Sequence, residues 1–299
     1  MKKIIQDLLA IFDMRLVRAS RYKILNLSDK EISPISVPYY VNSQPALVEL
    51  DCNVGRTNRW FDLSRNSLDP HYYALKKGIN EGLSGDAFIE RVSKILEINK
   101  DMSVSKNAAE QFGLGDFETK LNDYPFWAEV LPWHICTINE VVKKTPFEVK
   151  KNRSMHNLII ESNDPDEIMR IDREYSIYSH AEQYEKLLYS IKQKGLLQSE
   201  KYGLIHAEIL IKDGEYRWKP GVDGNHRTIL SAAMGIKKIP LIVDKIIRYE
   251  DLEYWPNVVN STFSKKEAEI IFNRIFDASP PEFYSQWVSH CAQSIKKNN

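Results

Sequence analysis

Asp223, Gly224, Asn225, His226 and Arg227 stand consecutively, and the run TILSAAMGI (228–236) follows them with apolar residues at helical spacing. The first backbone N–H groups of a helix lack internal partners, and the helix dipole is positive there, so a turn of this kind holds anions. Gly224 lets the backbone approach a ligand without a Cβ. Arg227 adds a planar donor fork suited to phosphate, and His226 donates a hydrogen bond in either charge state. Asp223 repels a bare phosphate. Its presence fits a divalent cation bridging carboxylate and phosphate, or an acceptor hydroxyl whose proton it takes. A plainer reading stands beside this one: Asp-Gly is a common turn, Asp223 caps the helix, and His226 and Arg227 are ordinary first-turn side chains.

The elements around the turn follow from local pattern. HAEILIKDGEYRWKPGV (206–222) reads as a β-hairpin, with Asp213-Gly214 as its turn and Tyr216 and Trp218 on the return strand. KIPLIVDKII (238–247) reads as an apolar, β-branched strand. Upstream, AEQYEKLLYSIKQKGLLQSE (181–200) reads as a helix through Tyr184, Leu187, Leu188 and Ile191, stopped by Gly195. The order is helix, hairpin, turn, helix, strand. In the tail, Ser264 and Glu267 form a capping box ahead of a helix, with Phe263 and Ala268 placed as a staple.

The amino-terminal half is less regular. LSGDAFIERVSKILEINK (83–100) has a helical apolar period. Pro125 and Pro132 break the chain around Trp127 and Trp133, and a helix follows toward Lys144. PFEVKKNRSMHN (146–157) is polar and basic and reads as a connector. GRTNRW (55–60) sets two arginines near Asp51 and Asp62; it reads as a solvated loop, with a second anion site as the alternative. At the start, Ile4, Ile5, Leu8, Leu9 and Phe12 recur at helical spacing between basic ends. That helix either packs on the protein or lies on anionic lipid, a peripheral membrane contact.

Composition narrows the functional classes. The 299 residues allow one or two domains, and 41 Lys plus Arg balance 41 Asp plus Glu, which is no signature of a nucleic-acid coater. Residues 201–250 hold nine Lys or Arg against six Asp or Glu, a modest local excess. Cys52, Cys136 and Cys291 are scattered and read as reduced thiols of a cytoplasmic protein, and the seven histidines form no local metal motif. No Gly-x-Ser-x-Gly elbow supports a serine hydrolase.

Residues 166–248 resemble the ParB/sulfiredoxin-like superfamily. LLYSIKQKGLLQ is similar to its helix leading into a Gly-Leu turn, and DGNHRTILSAAMGIKKIPLIV to its phosphate-binding turn, helix and strand. Sulfiredoxins carry a cysteine where this chain has Asn225, so the resemblance does not imply sulfinic acid reduction. ParB proteins carry a Gly-x-x-Arg turn that binds CTP, which Gly224 and Arg227 fit, but their DNA-reading domain is not evident here. The free-serine kinases carry Asp-Gly-x-His-Arg, which Asp223, Gly224, His226 and Arg227 fit in full. The chain also resembles ParB-domain proteins encoded among bacterial surface-polysaccharide genes.

The resemblance implies an α+β fold: a small mixed sheet with helices over 151–250, a largely helical and irregular extension over 1–150, and a helical tail over 251–299. It implies a kinase that moves a phosphoryl group from ATP or another nucleotide, with Mg²⁺, to a small hydroxyl compound such as a sugar or glycan precursor. Gly224, Asn225, His226, Arg227 and Thr228 would hold the nucleotide. Asp223 would bind the metal or orient the acceptor, and Arg227 and His226 would offset charge on the transferred group. Glu174 would be the general base, with Glu182 as its substitute, and Arg173 would assist phosphate binding. Trp127 and Trp133 would stack on a sugar face. Nucleic acid is not an expected partner; the KKTPFEVKKNR run (143–153) is the best basic patch. The alternatives are a non-catalytic nucleotide-binding scaffold and a DNA-binding regulator.

Overall fold

The computed structural model describes residues 24–30, 32–40, 45–57, 60–155, 158–196, 204–221 and 224–296. Asp223 and the amino-terminal helix expected over residues 4–12 lie outside them, as do Arg59 and His156.

In chain order the strands are β1 (Leu25–Asn26), β2 (Ala46–Asp51), β3 (His206–Lys212), β4 (Glu215–Pro220) and β5 (Lys238–Arg248). The helices are α1 (Pro70–Asn80), α2 (Gly85–Met102), α3 (Ala108–Gln111), α4 (Ile138–Met155), α5 (Pro165–Lys194), α6 (Asn225–Ala233), α7 (Pro256–Val259), α8 (Lys265–Phe276) and α9 (Ser285–Lys296). The fold is mixed α and β. The five strands form one mixed sheet in the order β1-β2-β5-β3-β4.

Each expected element after residue 181 forms. Asp213 (φ 50°) and Gly214 (φ 76°) make the β3–β4 turn, where two consecutive left-handed residues match the twist of the strands. Gly195 (φ 72°) ends α5, and the Ser264–Glu267 capping box is reciprocal. Strand β3 departs from strict alternation: Ala207, Glu208, Ile209, Leu210 and Ile211 are all buried. It lies inside the sheet between β5 and β4 with both faces covered, so neither face needs polar residues.

The amino-terminal half builds into the same sheet. Strand β2 pairs antiparallel with β5 from Ala46↔Val243 to Asp51↔Lys238, and the buried apolar side chains form one continuous cluster reaching from Leu27 to Cys291. Trp218, Tyr184, Phe88, Phe272 and Trp287 are among its largest members, each fully buried.

Two local expectations are corrected. Residues 146–155 continue α4 through Pro146 instead of forming a connector. The helix holds because it packs along α5: Arg153 bonds Asp172 and donates to Ser176 Oγ at 2.6 Å, and Lys150 donates to the Ser162 carbonyl at 2.8 Å. The basic run is thus partly consumed in joining α4 to α5. GRTNRW is not a solvated loop at its start. Arg56 is buried, and its guanidinium donates to the carbonyls of Gly55, Ile275 and Phe276, closing the negative end of α8. Burial, with the Arg217 charge nearby, pulls Arg56 down to about 10, so it stays a cation at neutral pH. All three cysteines are free, Cys52 and Cys291 in the core. Among the described residues no helix is long and apolar enough to cross a membrane.

Candidate functional site

Helix α6 starts where β4 leaves the sheet. Gly224 is its N-cap at φ 94°, and a Cβ there would lie 2.7 Å from Ile205 Cγ2. The turn therefore requires glycine twice over, for its left-handed backbone and for its contact with Ile205. Gly224→Ala is expected to lower the folding free energy by about 2 kcal/mol, read as a lower urea midpoint at unchanged slope.

The mouth of α6 opens on a cavity of about 500 Å³, whose wall includes Asn225, His226 and Ile229. The opposite wall is one face of α5: Met169, Asp172, Arg173, Ser176, Ile177 and His180. Their spacing of three and four residues places all six side by side. The start of α1 supplies Asp69, Pro70 and His71, and the end of α2 supplies Lys100. Two helix N-termini thus converge on the space, one of them already capped by Asp69, which accepts from the Tyr72 N–H at 3.0 Å.

Three imidazoles meet at this junction. The His180 ring lies 4.8 Å from that of His226 and 5.4 Å from that of His71, and Tyr184 Oη is hydrogen-bonded to His71 Nδ1 at 3.2 Å. Burial, with the neighbouring His226 and Arg153, pushes His180 down to about 4, and burial likewise lowers His226. At neutral pH both rings are uncharged: each can accept a proton or donate one hydrogen bond, but neither supplies a positive charge. The cations on the wall are Lys100 and Arg173. Arg173 Nη2 also donates to the carbonyls of Lys100 and Ser103, at 3.2 and 3.0 Å, tying α5 to the end of α2.

The expected site residues divide. Asn225 and His226 are in the cavity wall, with Gly224 at the cap behind them. Asn225 Oδ1 is buried without a hydrogen-bond partner. Asp223 falls outside the described residues. Thr228 is fully buried and donates its hydroxyl to the Gly224 carbonyl at 2.9 Å, so it secures the turn and does not reach the cavity. Arg227 is half-buried, and Nη2 donates to the Leu204 carbonyl at 3.2 Å, away from the cavity wall. Glu174 is on the exposed face of α5, paired with Arg170 at 3.0 Å; it is one position off the cavity-facing set, and neither it nor Glu182 lines the cavity. Trp127 does line it, with Nε1 donating to Asp166 at 2.9 Å. Trp133 is instead core, edge-on to Trp255 at 5.2 Å, with Nε1 donating to Glu208.

The sequence reading passed over His71, Lys100, Glu129 and His180. For His180 a signal existed: it continues the α5 face that carries Arg173 and Ile177. For Glu129 there was none, since it sits in an irregular segment that only the tertiary fold brings to the cavity. Among the described residues no three His, Cys, Asp or Glu side chains are arranged to hold a metal ion. No protein-family profile, no curated protein and no solved structure matches the chain, and the functional reading therefore rests on the geometry of this cavity.

Proposed function

We propose that the protein is a nucleotide-dependent phosphotransferase acting on a small hydroxyl compound. The observation that carries this reading is the glycine-capped mouth of α6 opening on the large cavity opposite Arg173 and Lys100. The N–H groups of Asn225, His226 and Arg227 have no carbonyl one turn back within the helix to bond, and a polyphosphate satisfies them. Asn225 Oδ1, buried beside the mouth without a donor, is a polar atom that a ligand hydroxyl or N–H would satisfy. The order α5, hairpin, α6, β5 is the one that resemblance to the ParB/sulfiredoxin-like superfamily implies.

A nucleoside triphosphate would supply the phosphoryl group, and Mg²⁺ bound with it would supply charge neutralisation. The chain's own part is binding and orientation. Lys100 and Arg173 offset phosphate charge, while neutral His180 and His226 hydrogen-bond at the α6 mouth. Glu174 does not serve as base in this reading, because Arg170 and solvent hold it outside the cavity.

Thermal unfolding with ATP, CTP, GTP and ADP, each with and without Mg²⁺, tests the proposal. At a hundredfold excess over Kd, a ligand selective for the native state adds about 2.7 kcal/mol, so the matching nucleotide is expected to raise Tm by roughly 5 °C. If none moves Tm, nucleotide binding and with it the phosphotransferase reading fail.

A further inference from the structure

A second cavity, of about 300 Å³, adjoins the first and shares Gln111 and Glu129 with its wall. It is lined also by Trp60, Phe112, His134, Glu208 and Lys219. Gln111 Nε2 donates to Glu129 Oε1 at 2.8 Å and Ser105 donates to Gln111 Oε1 at 2.7 Å, so the dividing wall is a fixed polar chain.

Two features of this space call for a ligand. Trp60 is only 2% exposed, yet its indole N–H has no hydrogen-bond partner, and an orphaned donor at that depth is costly. Glu208 and Lys219 form a buried ion pair at 3.2 Å, directly opposite each other on β3 and β4. Such a pair contributes little net stability compared with apolar residues of the same size, so its presence at a cavity wall suggests a role in recognition. Lys219 also donates to the Pro220 carbonyl at 3.3 Å, which leaves the third N–H of its ammonium group.

We infer that this second cavity binds the acceptor, a small neutral polyhydroxyl molecule such as a monosaccharide or cyclitol. The residues of its wall carry donors on Trp60 and Lys219, acceptors on Glu129 and Glu208, and the rings of Trp60 and Phe112, which lie edge to face at 6.1 Å. Hydroxyl groups both donate and accept, and so fit a wall that mixes the two. An anion would face two carboxylates, with the one buried ammonium already paired to Glu208.

Glu129 borders both cavities and is the base. This assignment rests on the phosphotransferase reading. Glu129 takes the proton of the acceptor hydroxyl as that oxygen bonds to the terminal phosphorus of the nucleoside triphosphate. The bond from phosphorus to the bridging oxygen breaks, and the nucleoside diphosphate leaves with its electron pair.

The test separates binding from transfer. Without nucleotide, D-glucose, D-galactose, D-ribose and myo-inositol are titrated by calorimetry, with D-glucuronate as the anionic control. At least one neutral probe is expected to bind with a millimolar or lower Kd, at least tenfold tighter than glucuronate. Trp60→Phe, which keeps a ring and deletes the N–H, is expected to weaken it about tenfold. In the wild-type protein, the ¹⁵N-indole resonance of Trp60 should shift on binding, which covers the case in which the variant misfolds. Binding by none of the four, preference for glucuronate, or an unmoved Trp60 resonance overturns the site. With the bound probe as acceptor, Glu129→Gln should keep Kd within about threefold and lower nucleoside diphosphate release at least a hundredfold. An undiminished rate in Glu129→Gln overturns the base. A wild-type protein that binds the probe but transfers nothing overturns the phosphotransferase reading and leaves the binding site standing.

Discussion

Acidification from pH 6.5 to 4 is expected to remove several kcal/mol of folding free energy, read as a falling urea midpoint. Three half-buried imidazoles cause it. His180 is pushed down to about 4 by burial, with His226 and Arg153 adding to the effect. His134 also falls to about 4, through burial first; the Glu208 carboxylate opposes the shift, while Lys219 and Lys245 reinforce it. His226 is lowered by burial. In the unfolded chain these groups take up protons near 6.5. Between the two limits the unfolded state binds more protons than the native state, so stability falls as pH falls. His180 alone accounts for about 3 kcal/mol by pH 4, and the others act in the same direction. Glu208 adds a further loss at the acid end. Burial raises its carboxyl, but Lys219, His134 and the Trp133 N–H outweigh burial and hold it below the usual range. A urea midpoint that stays level from pH 6.5 to 4 would contradict the burial of His134, His180 and His226 as uncharged rings.

Lys219→Met is expected to cost about 3–5 kcal/mol, because it strands the Glu208 carboxylate inside the sheet. Glu208 is 6% and Lys219 3% exposed, so water reaches the stranded carboxylate only from the adjoining cavity. The pair variant Glu208→Gln with Lys219→Met should recover most of that loss. A glutamine carbonyl can still accept from Trp133 Nε1, now bonded to Glu208 at 3.1 Å, and no charge is left buried. A double-mutant cycle measures the coupling directly. A single-variant cost below about 1 kcal/mol, the range of exposed pairs, would mean that water reaches Glu208 in solution.

Local chemistry carried much of the fold. Asp213-Gly214 specified a hairpin, Ser264 and Glu267 a helix start, and the spacing of Tyr184, Leu188 and Ile191 a buried helical stripe. Each of these signals acts within a few residues, so it can be read before the chain folds. The polar, basic composition of 146–157 misled, because here the bonds from Lys150 and Arg153 sustain a helix through Pro146. The early start of α5 was legible in principle, since Asp164 caps it and Pro165 occupies its first turn.

Partners far apart in sequence were not legible. Arg56 meets Ile275 and Phe276 some 220 residues on, and no periodicity marks such a contact. The candidate site was legible at its turn and not around it. Gly224, Asn225 and His226 form the start of α6, with Asn225 and His226 in the cavity wall, whereas Glu174 faces solvent, one position away from the α5 stripe that lines the cavity. Glu129, Lys100 and His71 come from three other segments that only the tertiary fold assembles.

The central claim is that the α6 mouth and the cavity before it hold a polyphosphate. Calorimetric titration of ATP and of adenosine, each with Mg²⁺, into wild-type protein and Lys100→Met tests it most directly. The account predicts that ATP binds at least tenfold tighter than adenosine, and that loss of the Lys100 ammonium weakens ATP about tenfold while leaving adenosine unchanged. Equal affinity for ATP and adenosine, or no binding of either together with none for CTP and GTP, would contradict it.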